Sequence, residues 1–211
     1  MKSLFLGIVL IIIIGLGGLV YRNAIEYRGQ SVACPRDIQV CPDSTSVSRT
    51  GPSCTFPACP PPNVLLPDVG IAFALPEGFV PATLPDAASV AAYERPIVSS
   101  TNVASIIIRS YAIEASSTAF ATIQQTAIGG ASGMPVPPAS FTSSSLGTHR
   151  FTIVPIERFE GVVDTAYYLP RATDVLRFDA IDRDVLDWTD PRLDTSTLPA
   201  RMALEKLLTT L

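Results

Sequence analysis

The run from Leu4 to Val20 holds no charged side chain and nothing more polar than glycine, and it decides in which solvent the following residues must fold. Its seventeen apolar residues, eighteen with Tyr21, approach the length an α-helix needs to cross a hydrocarbon core about 30 Å thick. A helix packed in a soluble core would normally carry a polar face. This run has none, and Lys2 ahead of it has the character of an export signal. Cleavage would need small residues at its end, where Ala24 has the bulky Arg22 two positions before it. The expectation is an uncleaved signal-anchor over residues 1–28, a single transmembrane helix that meets the membrane through residues 4–21 and leaves a short cytoplasmic N-terminus. Charge alone orients it weakly, because Lys2 faces Arg22 and Arg28 with Glu26 between them.

The cysteines break that tie. All four, Cys34, Cys41, Cys54 and Cys59, fall in one segment directly behind the apolar run. An even, clustered set beyond an export signal reads as two disulfides. Structural zinc favours two closely paired cysteine knuckles or added histidines, whereas the spacings here are six, twelve and four residues with no histidine nearby. The bulk of the chain is therefore expected outside the cytoplasm, on a single-pass protein of the cell membrane. Three pairings are open. Joining Cys41 to Cys54, for instance, would close a loop of about 14 residues and remove roughly 3 kcal/mol of unfolded-chain entropy.

The wording of the segment is more specific than its spacing. Cys41, Pro42, Asp43, Val47, Arg49, Thr50, Gly51, Pro52, Cys54, Phe56, Cys59 and Pro60 resemble a four-cysteine module that recurs in surface proteins of uncultured, small-genome bacteria. Ser44 stands where that module tends to have glycine. The resemblance covers about 30 residues and implies a secreted or surface setting without an activity. From the residues themselves, Thr50 to Ser53 is a turn signal, and residues 47–49 are expected to pair with Thr55 and Phe56. Pro57 and Pro60 to Pro62 then stiffen the exit as a spacer, so residues 29–62 are read as a disulfide module with its proline spacer.

From residue 63 to 211 the texture is that of one extracytoplasmic α+β domain. Residues 69–75, 90–94 and 104–113 read as strands, the last as an interior one because β-branched residues crowd its middle. Ser117 is placed as the cap of a helix over 118–128 that Gly129 and Gly130 stop. A Gly, Pro and Ser-rich loop follows over 129–140. Residues 141–146, 150–158, 161–169 and 175–179 read as a meander, since connections this short favour antiparallel neighbours. The chain closes on residues 198–211, where Thr197 is placed as the cap and Leu204, Leu207, Leu208 and Leu211 line one face. Strands with two helices packed on them predict an antiparallel sheet in an α+β layer arrangement.

The opening Phe73, Pro76 and Phe79 together with the closing Leu208, Thr209, Thr210 and Leu211 resemble the two ends of PsbP/Mog1/DcrB-like lipoprotein domains. That implies an α/β/α sandwich acting in assembly or binding and carries over no catalytic residue.

Chemistry is sparsely signposted. Lysine and arginine number 15 against 19 acids, which leaves no basic field for nucleic acid. Phosphate-cradling and dinucleotide motifs are absent, so no cofactor is expected. His149 is the single histidine, and Ser144, Ser145 and Thr148 share its polar turn, which is a poor geometry for a nucleophile and base. Residues 174–194 concentrate seven aspartates against three arginines. Asp182, Asp184, Asp187 and Asp190 are oxygen donors of the kind calcium takes, but the EF-hand order is missing and Arg183 and Arg192 can satisfy the same carboxylates. The expectation is a solvated loop with local Asp–Arg pairs and Asx turns. The sole tryptophan, Trp188, is expected to plug that loop onto the domain, with a partner-facing loop as the alternative. The leading functional expectation is a non-enzymatic module that binds a protein or envelope component. The alternative is an extracytoplasmic hydrolase that uses carboxylates of the 179–194 stretch.

Overall fold

The strands carry apolar side chains on both faces, and the fold follows from what covers each. A computed structural model describes residues 7, 13–22, 34–41, 46–59, 61–96, 103–130 and 132–211. The chain divides into two compact units, residues 1–39 with 46–58 and residues 40–45 with 59–211.

In the first unit residues 13–22 are helical (α1). Among the described residues no helix is long and apolar enough to cross a membrane, and much of the expected 4–21 span lies outside them. Strands β1 (Ile38–Val40) and β2 (Ser46–Ser48) form a two-stranded sheet. The expected pairing of 47–49 with 55 and 56 is thus reduced to one antiparallel bridge, Thr50 with Thr55, because β2 gives its ladder to β1. Between them Gly51 at φ 74° and Cys54 at φ 50° turn the chain, which fits a glycine at the first position. Arg49 organises this turn. Its Nε donates to Asp37 Oδ1 at 2.8 Å, its Nη1 donates to the Cys54 carbonyl at 3.0 Å, and its guanidinium stacks on Phe56 at 4.3 Å. Positions 42–45 and 60 of the cysteine motif, Ser44 among them, lie outside the described residues.

The cysteines pair Cys34 with Cys54 and Cys41 with Cys59. The first bridge belongs to the first unit and the second to the second. The sequence separations of 20 and 18 residues correspond to about 3 kcal/mol of unfolded-chain entropy each.

The second unit is α+β. Strands β3 (Val64–Leu66) and β4 (Ile71–Phe73) form a small hairpin, with Gly70 at φ 62° in its turn. A seven-stranded antiparallel sheet runs in the order β5-β6-β7-β11-β10-β9-β8. Its members are β5 (Val80–Pro81), β6 (Ser89–Pro96), β7 (Val103–Ala112), β8 (Thr142–Leu146), β9 (His149–Phe159), β10 (Val162–Pro170) and β11 (Asp174–Asp182). β7 is interior, as its β-branched centre requires, and the last four strands form the expected meander. β11 closes the fold by pairing with β7 from Asp174↔Ala112 to Asp182↔Ala104.

Two helices sit on opposite faces of this sheet. α3 (Pro199–Leu208) buries Leu204, Leu207 and Leu208 against Ile106, Ile108, Phe151, Tyr167 and Phe178, all at most 2 % exposed. Thr197 does not cap it. Its hydroxyl donates to the Asp194 carbonyl, and the amide of Ala200 donates instead to Oδ1 of Asp182, 2.9 Å away on β11. A capping carboxylate can come from any element that reaches the orphan amides of a first turn. α2 (Ala119–Thr126) covers part of the other face with Ile123, which packs with Ala127, Val154, Ala166, Tyr168 and Val175. Its cap is Thr118, whose Oγ1 accepts from the amide of Ala121 at 3.1 Å, one position after the expected Ser117.

Candidate functional site

α2 has eight residues, too few to roof a seven-stranded sheet. Beyond its C-terminus the same sheet face is charged. Strand alternation aims Arg109 of β7, Arg177 and Asp179 of β11 and Asp164 of β10 to this side, while Ile108, Phe178 and Tyr167 point to α3. Asp179 is fully buried between two guanidiniums. Arg109 Nη1 donates to its Oδ2, and Arg177 donates to its Oδ1 from both Nε and Nη2 at 2.6 Å. Arg177 also donates through Nη1 to the carbonyl of Thr126, the last residue of α2, at 2.5 Å. The same carbonyl accepts from the Ile128 amide at 3.0 Å, and a cation at a helix C-terminus is favoured by the dipole, so Arg177 fastens the helix to the sheet. Arg109 reaches outward to Asp86 with an Nε–Oδ2 separation of 2.8 Å. Against the penalty of partial burial, hydrogen bonds from Arg109 and Ser89 hold the Asp86 carboxyl below its ordinary range.

Asp164 is the exception in this array. It is 7 % exposed, its Oδ2 stands 3.8 Å from Arg177 Nη2, and its Oδ1 has no hydrogen-bond partner among the described residues. Burial first, and then the Asp179 and Glu157 carboxylates, push its carboxyl well above the ordinary range despite Arg177 and Arg109. Asp164 faces Glu157 across the β9–β10 ladder, where the register shifts between Asp164 and Thr165. The bulge turns Glu157 toward the loop after α2. There Ser132 donates its amide to Glu157 Oε1 at 2.6 Å, and a Cβ on Gly129 would come within 2.9 Å of the same oxygen. Only glycine lets the loop lie this close.

These groups surround a cavity of about 570 Å³. Its charged lining is Asp86, Arg109, Glu157, Asp164, Arg177 and Arg183, and Ile107, Val162 and Ile181 give it an apolar side. A second cavity of about 380 Å³ also reaches Glu157 and Asp164.

The acidic stretch read in the sequence is divided. Residues up to Asp182 belong to β11, three positions further than expected, so Asp179 and Asp182 are buried on opposite faces of one strand. Asp184 sits at φ 57° and, like Asp187, is exposed. Asp190 accepts from the amide and the guanidinium of Arg192, and Asp194 from the amide of Ser196 at 3.0 Å. These are the local pairs and Asx turns expected of the loop. Among the described residues no three His, Cys, Asp or Glu side chains converge as metal ligands would, and the carboxylates of 179–194 do not gather at one point. Arg158 holds the loop by donating to the carbonyls of Asp187, Trp188 and Asp190. Trp188 lies edge-on to Phe159, centroids 6.4 Å apart, at the outer end of β9; Leu186, two positions before it in the chain, is 93 % exposed. His149 opens β9 and is half-buried, with its ring edge-on to Phe151.

The charged array escaped the sequence reading although a signal for it was present. Val162 to Leu169 and Val175 to Ile181 are near-continuous apolar runs, the mark of strands covered on both faces. A carboxylate or guanidinium inside such a run is buried and must be paired or used. No family model, curated protein or solved structure matches the chain.

Proposed function

We propose that this chain is a single-pass membrane protein, anchored through residues 4–21, whose α+β domain lies outside the cytoplasm and acts as a non-enzymatic binding module. The oxidised cysteine pairs support the compartment, and the apolar run supports the anchor. The resemblances of the cysteine segment and of the domain ends place it, in this reading, among bacterial surface proteins with a PsbP/Mog1/DcrB-like sandwich. A sheet with one helix on each face is compatible with that arrangement. The observation that carries the binding role is the 570 Å³ cavity on the half-covered sheet face. It has the size of a small-molecule site, and four of its charged groups, Arg109, Glu157, Asp164 and Arg177, are placed by regular strands.

Expression of the full chain in bacterial cells tests the setting. External protease applied to intact cells or spheroplasts is expected to degrade the carboxy-terminal domain. Maleimide-polymer labelling of the denatured chain is expected to modify four thiols only after reduction. A protected domain, or thiols that react without reductant, would overturn the reading.

A further inference from the structure

Resting on the reading of the domain as a binding module, we infer that the cavity on the α2 side of the sheet receives a neutral polyhydroxylated molecule, a saccharide unit, held between the Arg109–Arg177 guanidiniums and the Asp164–Glu157 carboxyls.

Charge selects the class. The lining sets three guanidiniums, of Arg109, Arg177 and Arg183, against three carboxyls, of Asp86, Glu157 and Asp164, so its formal charge is zero. With the buried Asp179 counted and Asp164 protonated the sum is again zero. An anion entering such a site gains one sign of neighbour and meets the other within the same few ångströms, and so does an ammonium. A ligand with adjacent hydroxyls has no such conflict, because each hydroxyl both donates and accepts. It can take a hydrogen bond from a guanidinium and give one to a carboxyl. The apolar side formed by Ile107, Val162 and Ile181 matches the C–H face of a pyranose.

Asp164 supplies the independent sign of a ligand. A buried carboxyl oxygen with no hydrogen-bond partner is disfavoured in a finished fold, and Oδ1 of Asp164 is shut off from solvent while its residue lines the cavity. The terminal torsion of an aspartate is broad, so a partial turn of the carboxyl brings Oδ1 toward the cavity while Oδ2 stays on the Arg177 side. Arg109 and Arg177 are held by Asp86, Asp179 and Thr126. They are therefore set in place before a ligand arrives, which lowers the ordering cost of binding.

Isothermal titration and amide shift mapping on the full chain in detergent micelles test this. The probes are neutral mono- and disaccharides, glucose, galactose, N-acetylglucosamine, maltose and lactose, beside glucosamine as the cationic and glucuronate as the anionic ring of the same shape. We expect at least one neutral sugar to bind, to shift amides of β7, β10 and β11, and to bind more tightly than the charged rings. Asp164→Leu is expected to weaken it about tenfold, the loss of one buried hydrogen bond, with the thermal midpoint of the apo-protein unchanged or raised. Preference for glucosamine or glucuronate would overturn the ligand class and leave the binding role standing. A panel in which no member of any charge shifts these amides would overturn both.

Discussion

The two faces of the seven-stranded sheet are made by the same strands and have opposite characters. Under α3 the side chains are Ile106, Ile108, Phe151, Tyr167, Leu176 and Phe178, closed by three leucines of the helix. One residue along each strand, under and beyond α2, they are Arg109, Arg177, Asp179 and Asp164 around a cavity. The closed face gains its stability from area removed from water. The open face gains little, because desolvating its charges consumes most of what their pairing returns. A chain selected for stability alone has no use for the second arrangement, and the contrast is the reason to place function there.

Substitutions can break the contrast at either face. The largest effect is expected from Phe178→Ala, which empties a fully buried site between the strands and α3 and should cost about 4 kcal/mol in urea denaturation. Asp179→Ala attacks the open face by leaving two guanidiniums without their shared partner, and about 3 kcal/mol is expected. If instead it costs less than about 1 kcal/mol, the pairing is not what holds Arg109 and Arg177.

A smaller, pH-dependent effect sharpens the comparison from the closed side. Among the described residues Asp182 is the one carboxylate buried under α3, and burial raises its carboxyl to about 6 against the hydrogen bonds it accepts from the amides of Ala200 and Arg201. In the unfolded chain it titrates near 4. Between these values the folded protein keeps a proton that the unfolded chain has released. The contribution is full below about pH 4 and is lost as pH rises through 6, by about 3 kcal/mol. Asp182→Asn keeps an oxygen for the Ala200 amide and should flatten that part of the profile when urea midpoints are read from pH 4 to 7. An identical slope in both proteins would assign the loss to other groups.

How much of this was legible in the sequence depended on whether a residue acts through its neighbours along the chain. The β-branched centre of β7 and the leucine stripe of α3 declare themselves locally, and both elements stand where the periodicity put them. β3 was hidden by the prolines before it, because its pairing with β4 is made across a turn and not by its own composition. The α3 cap was misplaced for a similar reason. Thr197 is adjacent in sequence, but Asp182 is adjacent in space. The charged array was the hardest to see, since Arg109, Asp164, Arg177 and Asp179 come from three strands that meet only when β11 docks between β7 and β10. Each taken singly passes for a solvent-facing residue. The acidic density after Asp174 drew attention instead, and its exposed part resolves into Asx turns and a short Asp190–Arg192 pair.

The central claim is that Asp164 is retained for a ligand and not for the fold. One pair of measurements on Asp164→Leu tests it most directly, the urea midpoint without ligand and the affinity for the tightest-binding neutral sugar. The account predicts a midpoint equal to or above that of the native chain, because an apolar side chain removes an unsatisfied buried oxygen, together with lost binding. An unfolding free energy lowered by more than about 2 kcal/mol with binding intact would contradict it and make Asp164 a structural residue.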